Sequence, residues 1–197
     1  MREVELKAVV SDWEACRRRL EDAGAVLAFE GRLEDRRYDS TDRTLGAKDE
    51  VLRLRVYRNG VGTRAELGWK GKTQYDDGYK VREELQAATA DARALADILT
   101  RLGYVVTRAI DREIAQYELD GTTVRLEHYP RMDDLVEVEG APAGIERAIG
   151  VLGIPRAHFT AERLPQFVRR YQERTGRHAA LCEDELTGAA SYRLEDA

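Results

Sequence analysis

Nitrogen and sulfur ligands are scarce in this chain, which has 3 His and 2 Cys among 197 residues. Cys16 and Cys182 follow no pairing or metal-ligand spacing, so the sequence predicts neither a disulfide framework nor a zinc site. His128, His158 and His178 are also spaced unlike metal ligands, and we expect them on the surface or in loops. Any metal bound by this protein is therefore expected to have oxygen ligands.

Apolar runs of membrane length are also absent, and Met1-Arg2-Glu3 leads directly into a charged segment with no signal peptide. Lys and Arg number 32 against 37 Asp and Glu, giving a net charge of −5. This balance argues against bulk nucleic-acid binding and against a polybasic membrane surface. No Walker loop or dinucleotide-binding glycine pattern occurs. We therefore expect a reduced cytoplasmic protein that does not associate with membranes.

Charge, in contrast, is abundant: 35% of the residues are charged, many of them on one face of predicted strands. Glu3-Val4-Glu5-Leu6-Lys7 alternates charged and apolar residues, and Glu137-Val138-Glu139 repeats the Glu-x-Glu spacing. A strand of this kind normally buries its apolar face and exposes the polar one to water. Paired carboxylates on two strands far apart in sequence also indicate an anionic cage, and such a cage requires a cation.

Further segments with the same alternation lie at residues 52–57, 67–70, 80–85 and 123–127. Turn signals such as Asp120-Gly121 separate them and predict a largely antiparallel arrangement. Any one of these strands is most simply interpreted as a solvated sheet face. Together with helices that each have one apolar side, they predict an α+β fold whose sheet closes on itself around the charges.

The interior of such a tunnel favours a divalent metal and a phosphate chain. Two carboxylates about 4 Å apart repel by roughly 4 kcal/mol at an effective dielectric constant of 20, so clustered carboxylates bind protons or a cation. Oxygen ligands suit Mg²⁺, Mn²⁺ or Ca²⁺, and Arg side chains match phosphate oxygens. The predicted interior residues are Glu3, Glu5, Glu127, Glu137 and Glu139, with Lys7, Arg53, Arg55, Lys70, Lys80, Arg82 and Arg125.

Amphipathic helices interrupt the strands, each ending near a glycine. Ser11 and Glu14 form a predicted capping box for the first helix, and further helices are predicted from Asp91, after Pro142 and over residues 162–174. After Gly176 we expect a polar, weakly structured tail, which divides the chain into a domain of residues 1–175 and a tail of residues 176–197. The strand–helix–strand order occurs twice, which suggests an internal duplication.

These motifs, in this order, resemble the CYTH family, also called triphosphate tunnel metalloenzymes. Glu3-Val4-Glu5-Leu6-Lys7 is similar to the Glu-x-Glu-x-Lys signature of that family, and the resemblance extends to about residue 155. Asp35-Arg36-Arg37-Tyr38-Asp39 resembles a family segment in which Arg37 replaces a common tyrosine. The segment at Arg112 matches less well, because the family usually has a Lys/Arg cluster there.

The resemblance implies an eight-stranded antiparallel tunnel, with helices packed on its outside, that binds triphosphates with Mg²⁺ or Mn²⁺. It implies Lys7 and Glu5 as catalytic residues, with Lys7 close to the reacting phosphorus. It also implies two further sets of site residues. The metal set is Glu3, Glu5, Glu127, Glu137 and Glu139, and the phosphate set is Lys7, Arg53, Arg55, Lys70, Lys80, Arg82, Arg112 and Arg125.

Three functions stay open at this point. The first is hydrolysis of inorganic triphosphate, thiamine triphosphate or a nucleotide, in which water attacks phosphorus in line. The second is a class IV-type adenylyl cyclase, in which the ribose 3′-hydroxyl of ATP attacks and diphosphate leaves. The third is a non-catalytic triphosphate or polyphosphate binder. The chain lacks the His-Phe pair that cyclases of the family often carry before the first motif, which favours hydrolysis. The resemblance leaves a homodimer open.

Overall fold

The computed structural model describes residues 2–197, so Met1, the first residue of the predicted domain, lies outside the described residues. Within this part of the chain, no helix is long and apolar enough to cross a membrane. The strands are β1 (Arg2–Val9), β2 (Val26–Asp39), β3 (Val51–Arg58), β4 (Thr63–Lys70), β5 (Gln74–Asp76), β6 (Tyr79–Thr89), β7 (Val105–Leu119), β8 (Thr122–His128) and β9 (Leu135–Glu139). The α-helices are α1 (Trp13–Asp22), α2 (Ala92–Arg101), α3 (Pro142–Leu152), α4 (Leu164–Thr175) and α5 (Glu183–Thr187).

Eight of the strands form a closed antiparallel barrel. Their order is β1-β9-β8-β7-β2-β3-β4-β6, and β6 pairs again with β1 to complete the ring. The short strand β5 pairs with β6 as a ninth, additional strand. The predicted closed eight-stranded barrel is thus confirmed, and closure leaves no free edge among its eight strands.

The apolar faces of the strands point outward, where helices cover them. Leu6 on β1 and Val138 on β9 belong to one buried cluster with Leu20 of α1 and Ile149 of α3. On the opposite side, Leu99 of α2 packs with residues of β2 and β3 in a separate cluster. Because the main apolar cores lie between barrel and helices, the inward side-chain positions are left for charged residues.

Aspartates begin both of the helices that connect barrel strands. The Asp12 carboxylate accepts a hydrogen bond from the Ala15 amide at 2.9 Å, and Asp91 accepts one from Ala94 at 2.9 Å. The predicted Ser11 cap is wrong, because α1 begins one residue later than a serine cap requires. An acidic cap also interacts favourably with the positive end of the helix dipole.

The last 22 residues are packed against one end of the barrel. Ala180 forms an isolated bridge with Arg131, and residues 180–182 are buried. Glu185 of α5 accepts two hydrogen bonds from Arg108, at 2.8 and 2.9 Å. The prediction of a weakly structured tail therefore differs from the structure, because a short apolar run within this polar segment finds a strand to pair with. The division at residue 175 remains our proposal.

Candidate functional site

The inward faces of the strands bring acidic and basic residues from the whole chain into one tunnel. β1 lies between β6 and β9, so Glu5 is paired with Lys80 on one side and with Glu139 on the other. In the same way Lys7 is paired with Glu137. Charges separated by more than 130 residues in sequence therefore become neighbours, because closing the sheet places the first strand beside the last one.

A cavity with about 590 Å³ of empty volume occupies the tunnel. Ten basic side chains and three carboxylates line it, so the surface that a ligand would touch is strongly cationic. The predicted phosphate set lies in this lining: Lys7, Arg53, Arg55, Lys70, Lys80, Arg82, Arg112 and Arg125. The charged residues that were not predicted are Asp35, Arg37 and Arg163.

Three carboxylates are close enough to share one cation. Ligand oxygens of Glu3, Glu84 and Glu139 all lie within 4.8 Å of one another. One oxygen of Glu3, Oε2, is buried and has no hydrogen-bond partner among residues 2–197. Burial, together with the neighbouring carboxylates of Glu3 and Glu137, raises the pKa of Glu139 to about 7. A set of hard oxygen donors with mutual repulsion and an unpartnered oxygen fits Mg²⁺ or Mn²⁺.

Lys70 connects this acidic group to the phosphate set. Its ammonium contacts Glu3 and lies 3.3 Å from Glu84. Burial and the neighbouring Arg53 lower the pKa of Lys70 to about 8, against the opposing effect of Glu3. Arg53 donates a hydrogen bond to Glu84 at 2.7 Å. The metal group and the cationic cavity are therefore adjacent.

Glu5 is paired with two lysines. It accepts a hydrogen bond from Lys7 at 2.7 Å and one from Lys80 at 2.5 Å. Burial alone would raise the pKa of Glu5, but the ammonium groups outweigh this effect and the pKa is lowered. Burial also opposes the charge on Lys7, yet Glu137 and Glu5 raise its pKa above the ordinary value. Both groups are thus ionised at neutral pH.

Glu137 and Glu127 share Arg125. Arg125 contacts Glu137, and its Nε donates to Glu127 at 2.9 Å. Burial would raise the pKa of Glu137, but Arg125 and Lys7 outweigh it and the pKa falls to about 2. Glu127 also accepts a hydrogen bond from the Tyr129 hydroxyl at 2.5 Å. The structure therefore groups Glu3 and Glu139 of the predicted metal set, and places Glu5, Glu127 and Glu137 against cations.

Asp35 holds three of the predicted phosphate ligands. The Asp35 carboxylate lies 3.3 Å from Arg55, 3.6 Å from Arg112 and 3.9 Å from Arg53. Although burial would raise its pKa, these arginines keep the pKa of Asp35 below its usual range. Arg112, which matched the family pattern poorly, is thus part of the same cationic wall as Arg53 and Arg55.

Some of the residues missed by sequence reasoning carried a usable signal. Glu84 has the same parity on β6 as Lys80 and Arg82, which predicts an inward side chain. Arg37 shares its parity on β2 with Asp35. Arg163 precedes α4 and has no periodic signal, because it reaches the cavity from outside the barrel.

A model of the CYTH domain matches residues 1–143, well over half of the chain. The chain belongs to the CYTH family. No curated protein matches this sequence. Family membership accounts for the order in which the charged strands occur, and β1 to β9 all lie within the matched residues.

Solved structures with the same fold come from distant organisms. The protein PH1012 of Pyrococcus horikoshii has a TM-score of 0.67 and 20% identity, covering 84% of this chain and 98% of its own. A Vibrio parahaemolyticus protein described as a candidate adenylate cyclase has a TM-score of 0.71 and 18% identity, covering 85% and 97%. HpAC1 from Hippeastrum, described as having a dominant triphosphatase activity, has a TM-score of 0.61 and 14% identity, covering 91% and 98%. At these identities the similarity shows a common fold for the CYTH chain.

Proposed function

We propose that this CYTH protein is a divalent-metal-dependent triphosphatase whose best substrate is inorganic triphosphate. The observation that carries the proposal is the group of Glu3, Glu84 and Glu139 directly beside a cavity lined by ten basic residues. Acidic residues for a metal next to basic residues for phosphates are the recurring combination of phosphoryl-transfer sites. The description of HpAC1 as a triphosphatase supports the same reaction class.

The basic residues bind and orient the phosphate chain. Arg53, Arg55 and Arg112 are fixed by Asp35, so they present guanidinium groups in set positions rather than as mobile side chains. Fixed donors cost little reorganisation when charge develops on phosphate oxygens. A divalent ion held by Glu3, Glu84 and Glu139 would add Lewis-acid stabilisation of that charge.

Lys7 and Glu5 are the proposed catalytic pair. The Lys7 ammonium lies between Glu5 and Glu137 and keeps its charge, so it stabilises the negative charge that develops on the reacting phosphate. The lowered pKa of Glu5 makes this carboxylate a poor general base. Glu5 therefore orients Lys7 and the attacking water. Water adds to the terminal phosphorus, the bridging P–O bond breaks, and phosphate, diphosphate and a proton are released.

The cyclase alternative requires a place for adenine. Tyr129 is the one aromatic residue among the described residues that line the cavity, and its hydroxyl is bonded to Glu127. This arrangement offers phosphate contacts and no free stacking surface. The description of the Vibrio protein keeps the cyclase as the competing reaction to be tested.

One assay separates the three functions. The protein is incubated with inorganic triphosphate, ATP or thiamine triphosphate and with Mg²⁺ or Mn²⁺, and phosphate, diphosphate and cyclic AMP are measured together. We expect rapid hydrolysis of inorganic triphosphate that stops in excess chelator. Cyclic AMP and diphosphate from ATP, with inorganic triphosphate untouched, would replace our proposal with the cyclase. Tight binding of triphosphate without turnover under any condition would identify a binder.

A further inference from the structure

One wall of the cavity carries basic residues that lack acidic partners. Arg37 and Arg82 both line the cavity, and neither has a carboxylate oxygen within 4 Å among residues 2–197. Arg37 donates to the Asp196 carbonyl at 3.0 Å, and Arg82 donates to the carbonyls of Gly71 and Asp49, each at 2.6 Å. A carbonyl oxygen satisfies a hydrogen bond but does not neutralise a positive charge. These two guanidinium groups therefore differ from the rest of the cationic lining.

Arg163 belongs to the same wall. Asp49 links it to Arg82: the Asp49 carboxylate lies 3.2 Å from Arg163, while its carbonyl accepts from Arg82. Arg37 is paired across β2 and β3 with Arg53, so a fourth guanidinium borders this group. A wall of this composition has one carboxylate, Asp49, for the three arginines Arg37, Arg82 and Arg163.

Buried donors confirm that this wall lacks anions. The Nε atoms of Arg37, Arg53 and Arg112 are buried and have no hydrogen-bond partner within the described chain. Arg53 and Arg112 are more than nine-tenths buried. Burial and the nearby Arg53, Arg112 and Arg163 lower the pKa of Arg37 to about 9, against the opposing effect of Asp35. An anion placed here would supply the missing acceptors and relieve this repulsion.

We propose that Arg37, Arg82 and Arg163 form a fourth anion position, which binds the terminal phosphate of an inorganic chain one unit longer than triphosphate. The proposal rests on the proposed function, because Arg53, Arg55 and Lys7 would hold the first three phosphates. The ligand class is therefore linear inorganic polyphosphate, with tetraphosphate as its shortest member. The same charge disfavours thiamine triphosphate, whose thiazolium ring is cationic.

Arg37 is the residue that sets this specificity. It occupies the position at which the motif quoted above commonly has tyrosine, a side chain of similar reach without charge. Arg37→Tyr therefore removes the charge and keeps a large polar side chain. Arg36→Tyr is the matched control, because Arg36 is the adjacent residue on β2 and pairs outside the tunnel with Asp111 at 2.6 Å.

The experiment is calorimetric titration with inorganic triphosphate and inorganic tetraphosphate, with chelator present so that no turnover occurs. We expect the wild type and Arg36→Tyr to bind tetraphosphate about tenfold more tightly than triphosphate, since each charge-assisted contact contributes at least that much. Arg37→Tyr should bind both with equal affinity, and Arg37→Lys should recover part of the preference. Thermal unfolding of each variant shows that the fold is retained.

Kinetics provide a second measurement. Arg37→Tyr should lower KM for thiamine triphosphate relative to inorganic triphosphate and leave kcat for the inorganic substrate nearly unchanged. If triphosphate binds but tetraphosphate binds no better, or if Arg37→Tyr keeps the preference, the fourth position is wrong and the triphosphatase proposal stands. If neither chain binds, both proposals are wrong.

Discussion

The two halves of the barrel have the same topology and opposite chemistry. β1-α1-β2-β3-β4 and β6-α2-β7-β8-β9 follow the same strand–helix–strand order, and each contains a three-stranded antiparallel unit. In the first half Lys70 is paired with Val51, at the position where the second half pairs Glu139 with Thr123. A lysine in one half thus corresponds to a metal-group glutamate in the other.

This contrast shows which positions determine the fold and which determine the chemistry. Tyr38 and Tyr117, at corresponding positions of β2 and β7, are both buried in the apolar clusters outside the barrel. Inward positions carry no such constraint, because any charge there can be compensated by a neighbour across the tunnel. The first half could therefore become mainly cationic and the second mainly anionic without changing the topology.

The largest expected effect comes from removing the central cation of the acidic half. Arg125→Ala leaves Glu127 and Glu137 buried without their shared partner, which should lower the free energy of unfolding by about 3–5 kcal/mol. Arg53→Ala, its counterpart, should cost clearly less, because Lys70 and Gln86 still contact Glu84. Urea denaturation of both variants measures the difference. Equal losses would show that the halves are not electrostatically distinct.

The second effect concerns the metal group. Glu139→Gln should reduce metal-dependent turnover by about two orders of magnitude, because the ion contributes several kcal/mol of charge stabilisation. Its stability should not fall, since one of three repelling carboxylates is removed. Glu113→Gln, at an exposed position of β7, is the control. Turnover that is unchanged in Glu139→Gln at limiting Mg²⁺ would place the metal elsewhere.

Breaking the cationic half should affect binding instead. Arg55→Ala is expected to weaken inorganic triphosphate binding about tenfold or more, since a charge-assisted hydrogen bond contributes roughly 1.5–3 kcal/mol. The loss should be smaller for diphosphate, and monophosphate should bind poorly to wild type and variant alike. Calorimetric titration gives the three affinities. Equal affinity of the wild type for mono- and triphosphate would argue against a tunnel built for triphosphate.

The smallest effect should be the same in both halves. Asp12→Ala and Asp91→Ala each remove a helix cap and should each lower the free energy of unfolding by about 1 kcal/mol. Ser11→Ala should change it by less than about 0.5 kcal/mol, as is usual for a surface substitution. Denaturant titration of the three variants tests this. A larger loss for Ser11→Ala than for Asp12→Ala would restore the serine cap.

Alternation of charged and apolar residues was sufficient to predict the closed barrel and all eight phosphate-set residues that line the cavity. It could not predict the metal group. Parity shows that Glu84 points inward, but not that β6 lies beside β1, and this neighbourhood decides that Glu84 joins Glu3 and Glu139. Nor could it predict that Glu5 and Glu137 face lysine and arginine, because heights along the tunnel depend on strand register. Arg163 lies outside any strand, so no periodicity indicated it.

Closure of the barrel by β1 has a consequence for the order of folding. During synthesis, β1 must wait until Tyr79 for the start of its first partner and until Leu135 for the start of its second. Contacts this distant in sequence form slowly, and an unpaired strand is a site for misassembly in the meantime. Glu5 and Lys7 are on that strand. The nascent chain therefore completes its charged site in the same late step that completes its sheet.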